Sequence, residues 1–195
     1  IMSVYLGDQL LDVFEQFLAH GSAKSSKKAS LLDLGVDTLP TFLKDTGDRN
    51  RTSPFAFTGN RFEFRAVGSA QSVAGPLMVL NTIMADSLHF IADTIDSKME
   101  SGSSFDKAVG EVIHDTMSQH GRVVFNGNGY SEEWHEEAVK VRGLKNLKNA
   151  PEALKELSTK EVIEMFTRLH VLSEQELHSR RAICEEQYIM SINVE

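Results

Sequence analysis

The densest group of chemically capable side chains in this sequence lies between residues 48 and 65, where four arginines and a glutamate occur within eighteen residues. Alternation along a β-strand places Arg61, Glu63 and Arg65 on one face and the phenylalanines between them on the other, which we expect to be the core side. Arginines can hold phosphate or carboxylate oxygens through paired hydrogen bonds. A carboxylate between them can bind a hard divalent cation such as magnesium. The pattern suits phosphoryl chemistry, but pattern alone leaves open a solvent-facing strand with cross-strand ion pairs.

A β-hairpin over about residues 55–66 is the first element needed to position these side chains. Aromatic residues alternate on both sides of Thr58-Gly59-Asn60, and glycine suits the tight turn between two antiparallel strands. Before it, apolar residues recur at near-helical spacing over residues 4–20, which predicts an amphipathic helix that Gly21 can end. Residues 31–36 are a candidate short strand.

The chain after Gly75-Pro76 reads as helical, because the apolar spacing changes to that of one helix face. A loop, Phe125-Asn-Gly-Asn-Gly-Tyr130, interrupts this part, and its glycines and asparagines permit positive φ and close backbone approach. Ser131 is predicted to cap the helix that follows, and Ser173-Glu-Gln-Glu176 forms a capping box. The predicted helices cover residues 76–100, 104–119, 131–141, 152–157, 159–169 and 173–193. We therefore predict an α+β chain with a small antiparallel β element followed by a mostly helical C-terminal part.

Charge and composition exclude several classes of protein. The 195 residues include 28 acidic and 20 basic ones, a net charge of -8 that argues against nucleic acid as a partner. No apolar run is long enough to span a membrane, and no signal peptide is recognisable at the first residues, so we expect no membrane partner. The single cysteine, Cys184, excludes an internal disulfide and fits a reducing compartment, which predicts a cytoplasmic protein.

Several motifs carry a resemblance to one enzyme family. Asn50-Arg51 followed by Arg61-Phe-Glu-Phe-Arg65 resembles the glutamine synthetase pattern in which an Asn-Arg pair precedes an Arg-x-Glu-x-Arg strand. The runs over residues 48–68, 71–76, 125–134 and 171–188 resemble the type III class of that family. The resemblance implies that residues 1–195 are a single internal fragment of the catalytic domain, with active-site loop and strands in 1–75 and a helical part in 76–195.

The resemblance also implies a role for each residue of the charged strand. Glu63 would bind the magnesium or manganese ion that bridges the ATP phosphates. Arg51 and Arg61 would contact nucleotide phosphate, Arg65 would bind the carboxylate of glutamate, and Arg51 and Arg65 would act in catalysis. In this family ATP phosphorylates the glutamate side chain to γ-glutamyl phosphate, which ammonia then attacks. The type I pattern has a further arginine where this chain has Ala56, and Arg49 is our candidate replacement.

The resemblance also indicates what this stretch does not contain. In the family, the other metal ligands lie upstream of such a segment. Ile1 and the uncapped apolar end of the chain lead us to expect a piece of a longer protein. We predict that this piece alone has no synthetase activity and binds ATP weakly or not at all. The alternative function is a non-catalytic helical domain for subunit contacts, and the ring assemblies of the type III class imply a homo-oligomer.

Overall fold

The computed structural model of the chain describes residues 1–27, 31–32, 42–43, 51–68 and 71–194. These residues form two compact units, one of residues 1–67 and 95–146 and the other of residues 68–94 and 147–195. The predicted α+β class is confirmed, with strands in the first part of the chain and a helical C-terminal part. The predicted boundary at residue 75, between an active-site part and a helical part, stays a prediction.

Among the described residues of the first unit there are five short strands: β1 (Val4–Tyr5), β2 (Leu31–Leu32), β3 (Phe42–Leu43), β4 (Phe55–Phe57) and β5 (Phe62–Phe64). Strands β1, β4 and β5 form a mixed sheet in that order, with β1 parallel and β5 antiparallel to β4. Strands β2 and β3 form a separate antiparallel pair. Of the predicted strand at residues 31–36, Leu31 and Leu32 form β2, and residues 33–36 lie outside the described residues.

The start of the chain corrects the sequence prediction. Val4 and Tyr5, which we assigned to the first helix, form β1 and pair with Phe55 and Ala56 of β4. The helix begins only at Gly7, whose φ of +76° is accessible to glycine without strain. Apolar spacing did not separate the two elements, because β-branched and aromatic residues also favour a strand when a partner strand is present.

The predicted hairpin is confirmed. Strands β4 and β5 pair with Ala56 opposite Glu63, and Gly59 in the turn has a φ of +94°. The Phe62 ring lies 5.2 Å from the ring of Phe55 and 5.3 Å from that of Phe57, centroid to centroid, so the aromatic residues share one face as predicted. That face is only partly covered within the described residues, since Phe62 remains 45% exposed, and its assignment to the core was wrong.

The helices of the first unit are α1 (Gly7–His20), the last residues of α2 (Ala74–Glu100), α3 (Phe105–His120) and α4 (Glu132–Lys140). Helix α1 ends at Gly21, whose φ is +68° and whose N–H donates to the Phe17 carbonyl at 2.8 Å, as the sequence predicts. Helices α1 and α3 pack on each other. The buried residues of α3 and α4 are Ala108, Val112, Trp134 and Ala138.

The second unit contains the first part of α2 with α5 (Ala150–Lys155), α6 (Lys160–Arg168) and α7 (Glu174–Val194). Its core consists of Phe166, Leu172 and Leu177, with apolar side chains of α2 and α6 packed around them. The predicted capping box is present, because the Ser173 N–H donates to Glu176 Oε2 at 2.8 Å and the Glu176 N–H donates to Ser173 Oγ at 3.3 Å. The helices agree with the predicted ones to within a few residues at each end. In the part of the chain that the structure describes, no helix has the length and hydropathy that crossing a membrane requires.

Candidate functional site

The three charged residues of the Arg-x-Glu-x-Arg strand lie together on one face of β5, as alternation predicts. Glu63 lies between the two arginines, with its Oε1 3.3 Å from Arg61 Nη2 and its Oε2 3.3 Å from Arg65 Nη2. These ion pairs run along a single strand rather than across the hairpin. At 3.3 Å both contacts are longer than a tight charge-assisted hydrogen bond. Both arginines therefore lie near the carboxylate, but neither forms a tight hydrogen bond with it.

Solvent exposure differs strongly along this strand. The side chain of Arg61 is 72% exposed, that of Glu63 34% and that of Arg65 18%. Arg65 is also anchored, because its Nη1 donates to the Ser53 carbonyl at 3.4 Å and its backbone N–H donates to the Pro54 carbonyl at 2.8 Å. Arg65 can thus offer a fixed contact to an anion, whereas Arg61 can adjust to a larger or more mobile one.

Arg51 has an unusual backbone conformation. It is exposed, and its φ of +52° lies in the left-handed region that residues with a Cβ seldom adopt. Such a conformation costs free energy and persists where the surrounding structure imposes it. Asn50 and the proposed replacement arginine, Arg49, lie outside the described residues.

Ala56, where the type I pattern has an arginine, lies opposite Glu63 in the hairpin and is completely buried. An arginine at this position would displace packed neighbours. The small side chain is therefore part of how this hairpin packs.

Glu63 can supply only part of a metal site. Among residues 1–27, 51–68 and 71–194, no group of three or more histidine, cysteine, aspartate or glutamate side chains is arranged to hold a metal ion. Magnesium is usually bound through one or two carboxylates together with water and substrate phosphates. One carboxylate with an arginine on either side fits such an ion as a single ligand, and the remaining ligands would come from substrate, water and other carboxylates.

The loop over residues 125–134 packs directly against residues 51–53, here called the arginine segment, and the sequence did not predict this contact. Neither Gly127 nor Gly129 has a positive φ, so these glycines do not use the backbone freedom that the sequence permits. The close approach is confirmed: a Cβ on Gly129 would lie 2.2 Å from the Thr52 carbonyl oxygen. A Cβ on Gly127 would lie 2.5 Å from the ring of Phe125 within the same loop. Both glycines are needed for space rather than for backbone freedom.

An aromatic stack and one arginine hold this loop. The rings of Phe125 and Trp134 are parallel to within 8° with centroids 3.8 Å apart, and the guanidinium of Arg142 lies 4.9 Å from the Trp134 centroid. Arg142 also pairs with Glu137, Nη2 to Oε1 at 2.6 Å, and its Nη1 donates to the Val124 carbonyl at 2.7 Å. Trp134 is almost fully buried. The predicted cap is present, since Ser131 Oγ accepts from the Trp134 N–H at 3.2 Å.

The loop also joins the sheet to the first helix. The Phe125 N–H donates to the Val4 carbonyl at 2.9 Å. Asn126 Oδ1 accepts from the N–H groups of Leu6 at 2.9 Å and Gly7 at 3.3 Å, where α1 begins. Asparagine is a preferred capping residue, but this one caps a helix 120 positions earlier in the chain, so the local sequence gave no signal for it.

Comparison with known proteins finds similarity to glutamine synthetases. Residues 108–195 match the glutamine synthetase C-terminal domain. The whole chain is 48% identical to Type-3 glutamine synthetase of Dictyostelium discoideum and covers 26% of that protein. It is 36% identical to glutamine synthetase of Bacteroides fragilis (strain YCH46) and 40% identical to that of Butyrivibrio fibrisolvens, again over 100% of this chain and 27% of each relative. The chain thus spans about a quarter of the length of these relatives.

Proposed function

The chain is a relative of the type-3 glutamine synthetases over its whole length, which confirms the resemblance carried by its motifs, and on this premise we propose that it contributes part of an ATP-dependent glutamate-ammonia ligase site. The relatives bear the name of a ligase. The substrates glutamate, ammonia and ATP, the γ-glutamyl phosphate intermediate and a cytoplasmic location are proposals for this chain.

The arrangement of Arg61, Glu63 and Arg65 on one face of β5 is the observation that supports this proposal. Phosphoryl transfer needs positive charge at the nucleotide phosphates and a fixed position for the acceptor. Arg61, which reaches into solvent, is the proposed phosphate contact, together with Arg51. Arg65, anchored by the Ser53 carbonyl, is the proposed contact for the carboxylate of glutamate.

Glu63 is the proposed ligand of a magnesium or manganese ion. When bound, that ion would neutralise negative charge on the nucleotide phosphates. Because Glu63 lies within 3.3 Å of both arginines, it also holds the two guanidinium groups apart and oriented. Since the chain spans about a quarter of its relatives, we propose that the other ligands come from other parts of the full-length protein.

Replacing Glu63 tests this function. In the full-length protein, Glu63→Ala should reduce glutamine formation by at least about a hundredfold, because a metal ligand and the partner of two arginines are lost together. Circular dichroism and thermal unfolding should change little, since the side chain lies at the surface of a short strand. The matched control is Glu164→Ala, which removes an exposed carboxylate of α6 and should leave turnover unchanged. Unchanged turnover in Glu63→Ala would remove the metal-ligand assignment.

Exposed apolar side chains on the long helices support the second candidate, a subunit-contact function. On α2, Leu88 and Phe90 are 58% and 60% exposed, and on α7, Ile189 and Met190 are 57% and 59% exposed. Apolar exposure on this scale is typical of surfaces that another protein surface covers. Leu88→Glu with Phe90→Glu in the full-length protein should reduce the mass of the assembly in sedimentation experiments. An unchanged assembly would show that neither Leu88 nor Phe90 lies in the contact.

A further inference from the structure

Gly129 is the point at which the loop over residues 125–134 touches the arginine segment. Its Cα faces the Thr52 carbonyl so closely that a Cβ would lie 2.2 Å from the oxygen and 3.4 Å from the carbonyl carbon. Real Cβ atoms are essentially never found within 3.0 Å of another heavy atom, so no other residue fits without movement. The backbone of residue 129 therefore limits how closely the backbone of residue 52 can approach the loop.

We propose that Gly129 is a positioning residue for the substrate site, acting on the guanidinium groups of Arg51 and Arg65 through the backbone of residues 51–53. This inference rests on the proposed function, because it assigns the loop a role in that same site. It gives this glycine a task in catalysis that does not require contact with a substrate.

The contacts on the arginine side of Gly129 follow one another along residues 51–53. Thr52 is followed by Ser53, whose carbonyl accepts from Arg65 Nη1 at 3.4 Å. Thr52 is preceded by Arg51, whose φ of +52° lies in the left-handed region. A shift of the Thr52 carbonyl therefore moves the backbone that places both arginines.

The contacts on the loop side make Gly129 a firm support. The Gly129 carbonyl accepts from His135 Nε2 at 3.2 Å, and His135 lies on α4, next to the buried Trp134. Trp134 in turn stacks on Phe125 and lies under the guanidinium of Arg142. Because the loop is held at both ends, we expect a clash at Gly129 to be relieved at least in part by movement of residues 51–53, of which Arg51 is exposed and Ser53 is buried.

The size of the clash sets the expected effect. A Cβ at 2.2 Å must gain about 1 Å of separation, and a misplacement of that size away from the chemistry can lower a rate by about a hundredfold. We expect Gly129→Ala in the full-length protein to lower kcat/KM for glutamate between about tenfold and a hundredfold. Much of the loss should appear as a higher KM for glutamate, because Arg65 is the proposed carboxylate contact.

Two glycines of the same region provide matched controls. Gly127→Ala places its Cβ against the Phe125 ring, so it perturbs the loop without touching Thr52. It should lower the melting temperature while leaving the KM for glutamate within about twofold, because uniform loss of stability does not alter binding. Gly121→Ala meets nothing within 4 Å and should change neither property. If Gly129→Ala fails to fold, His135→Ala removes the hydrogen bond to the Gly129 carbonyl without adding an atom, and should raise the same KM by a smaller factor.

The outcomes separate this inference from the function on which it rests. Raised KM for glutamate in Gly129→Ala or His135→Ala, with Gly127→Ala near the wild-type value, supports positioning. Equal KM values in Gly127→Ala and Gly129→Ala, with melting temperatures lowered in both, would show that the loop has a structural role only. If Arg65→Gln also leaves the KM for glutamate unchanged, the proposed function itself fails, whatever the glycine variants do.

Discussion

The arginine strand with its supporting loop and the helical core around Phe166 are held together in different ways. In the first region single atoms determine position: the Ser53 carbonyl on Arg65 and the Thr52 carbonyl against Gly129. In the second region, buried apolar side chains of α6 and α7 pack together, and Phe166 and Leu177 are each only 2% exposed.

Because of this difference, the two regions should tolerate different kinds of substitution. Apolar packing depends on total volume and shape and has no preferred atom-to-atom bond, so it contributes mainly to stability. A carbonyl held against a glycine or a guanidinium fixes geometry to a fraction of an ångström and contributes less to stability. We therefore expect substitutions around Phe166 to act on the free energy of unfolding and substitutions around Arg65 to act on kinetics.

Truncation of the helical core should have the largest effect on stability. Phe166→Ala is expected to lower the free energy of unfolding by about 3–5 kcal/mol, because a buried aromatic side chain is replaced by a cavity. Urea unfolding of the full-length protein measures the change. Phe166→Leu, which keeps most of the volume, should cost clearly less. The comparison breaks down if Phe166→Ala leaves unfolding unchanged but raises the KM for glutamate in the folded protein.

Substitution of Arg142, which stacks on Trp134, should have the next largest effect on stability. Arg142→Lys keeps the positive charge near Glu137 but loses the planar group over Trp134 and the fork that reaches the Val124 carbonyl. We expect a loss of about 1–2 kcal/mol and faster amide hydrogen exchange confined to residues 122–142. Unchanged hydrogen exchange in residues 122–142 would show that Arg142 does not hold the loop in place. Lys140→Arg, on the exposed end of α4, is the matched control.

A smaller effect is expected where Asn126 caps α1. Asn126→Ala leaves the N–H groups of Leu6 and Gly7 without their acceptor and should cost about 1 kcal/mol. Asn126→Asp keeps an acceptor and adds negative charge at a helix N-terminus, so it should recover most of that stability. Thermal unfolding of both variants tests the cap, and equal melting temperatures for Ala and Asp would rule it out.

The smallest expected effect is the pH dependence of the capping box in the helical unit. The backbone N–H of Ser173, followed by its hydroxyl, holds the pKa of the Glu176 carboxyl below its ordinary value of 4.5. A carboxyl whose folded pKa is lowered stabilises the fold above the ordinary value, and this contribution is lost as pH falls through the folded pKa. Glu176→Gln should therefore make the melting temperature of this unit less dependent on pH below about 5. If the melting temperature of Glu176→Gln depended on pH in the same way as that of the unsubstituted protein, the proposed role of the capping box would be contradicted.

The sequence predicted most of the helical unit because its signals are local. The apolar spacing of α6 and α7 and the box Ser173-Glu-Gln-Glu176 each lie within a few residues of the structure that they determine. The hairpin was predicted for the same reason, since its turn glycine lies between the two strands that it joins.

The missed features depend on residues far apart in the chain. Val4 is in a strand because β4 lies beside it, and Asn126 caps a helix that begins at Gly7. Nothing within a short window of sequence indicates either partner. The contact between Gly129 and Thr52 is of the same kind: the sequence marks a glycine-rich loop, but only the fold shows which backbone approaches it.

The most direct test of the central claim compares Arg61→Lys with Arg65→Lys in the full-length protein. Lysine keeps the charge but loses paired hydrogen bonding to phosphate or carboxylate. The structure and the proposed roles together predict that Arg65→Lys raises the KM for glutamate by at least about tenfold with a smaller change for ATP, whereas Arg61→Lys raises mainly the KM for ATP. Unchanged KM values for both substrates in both variants would contradict the assignment of this strand to the substrate site.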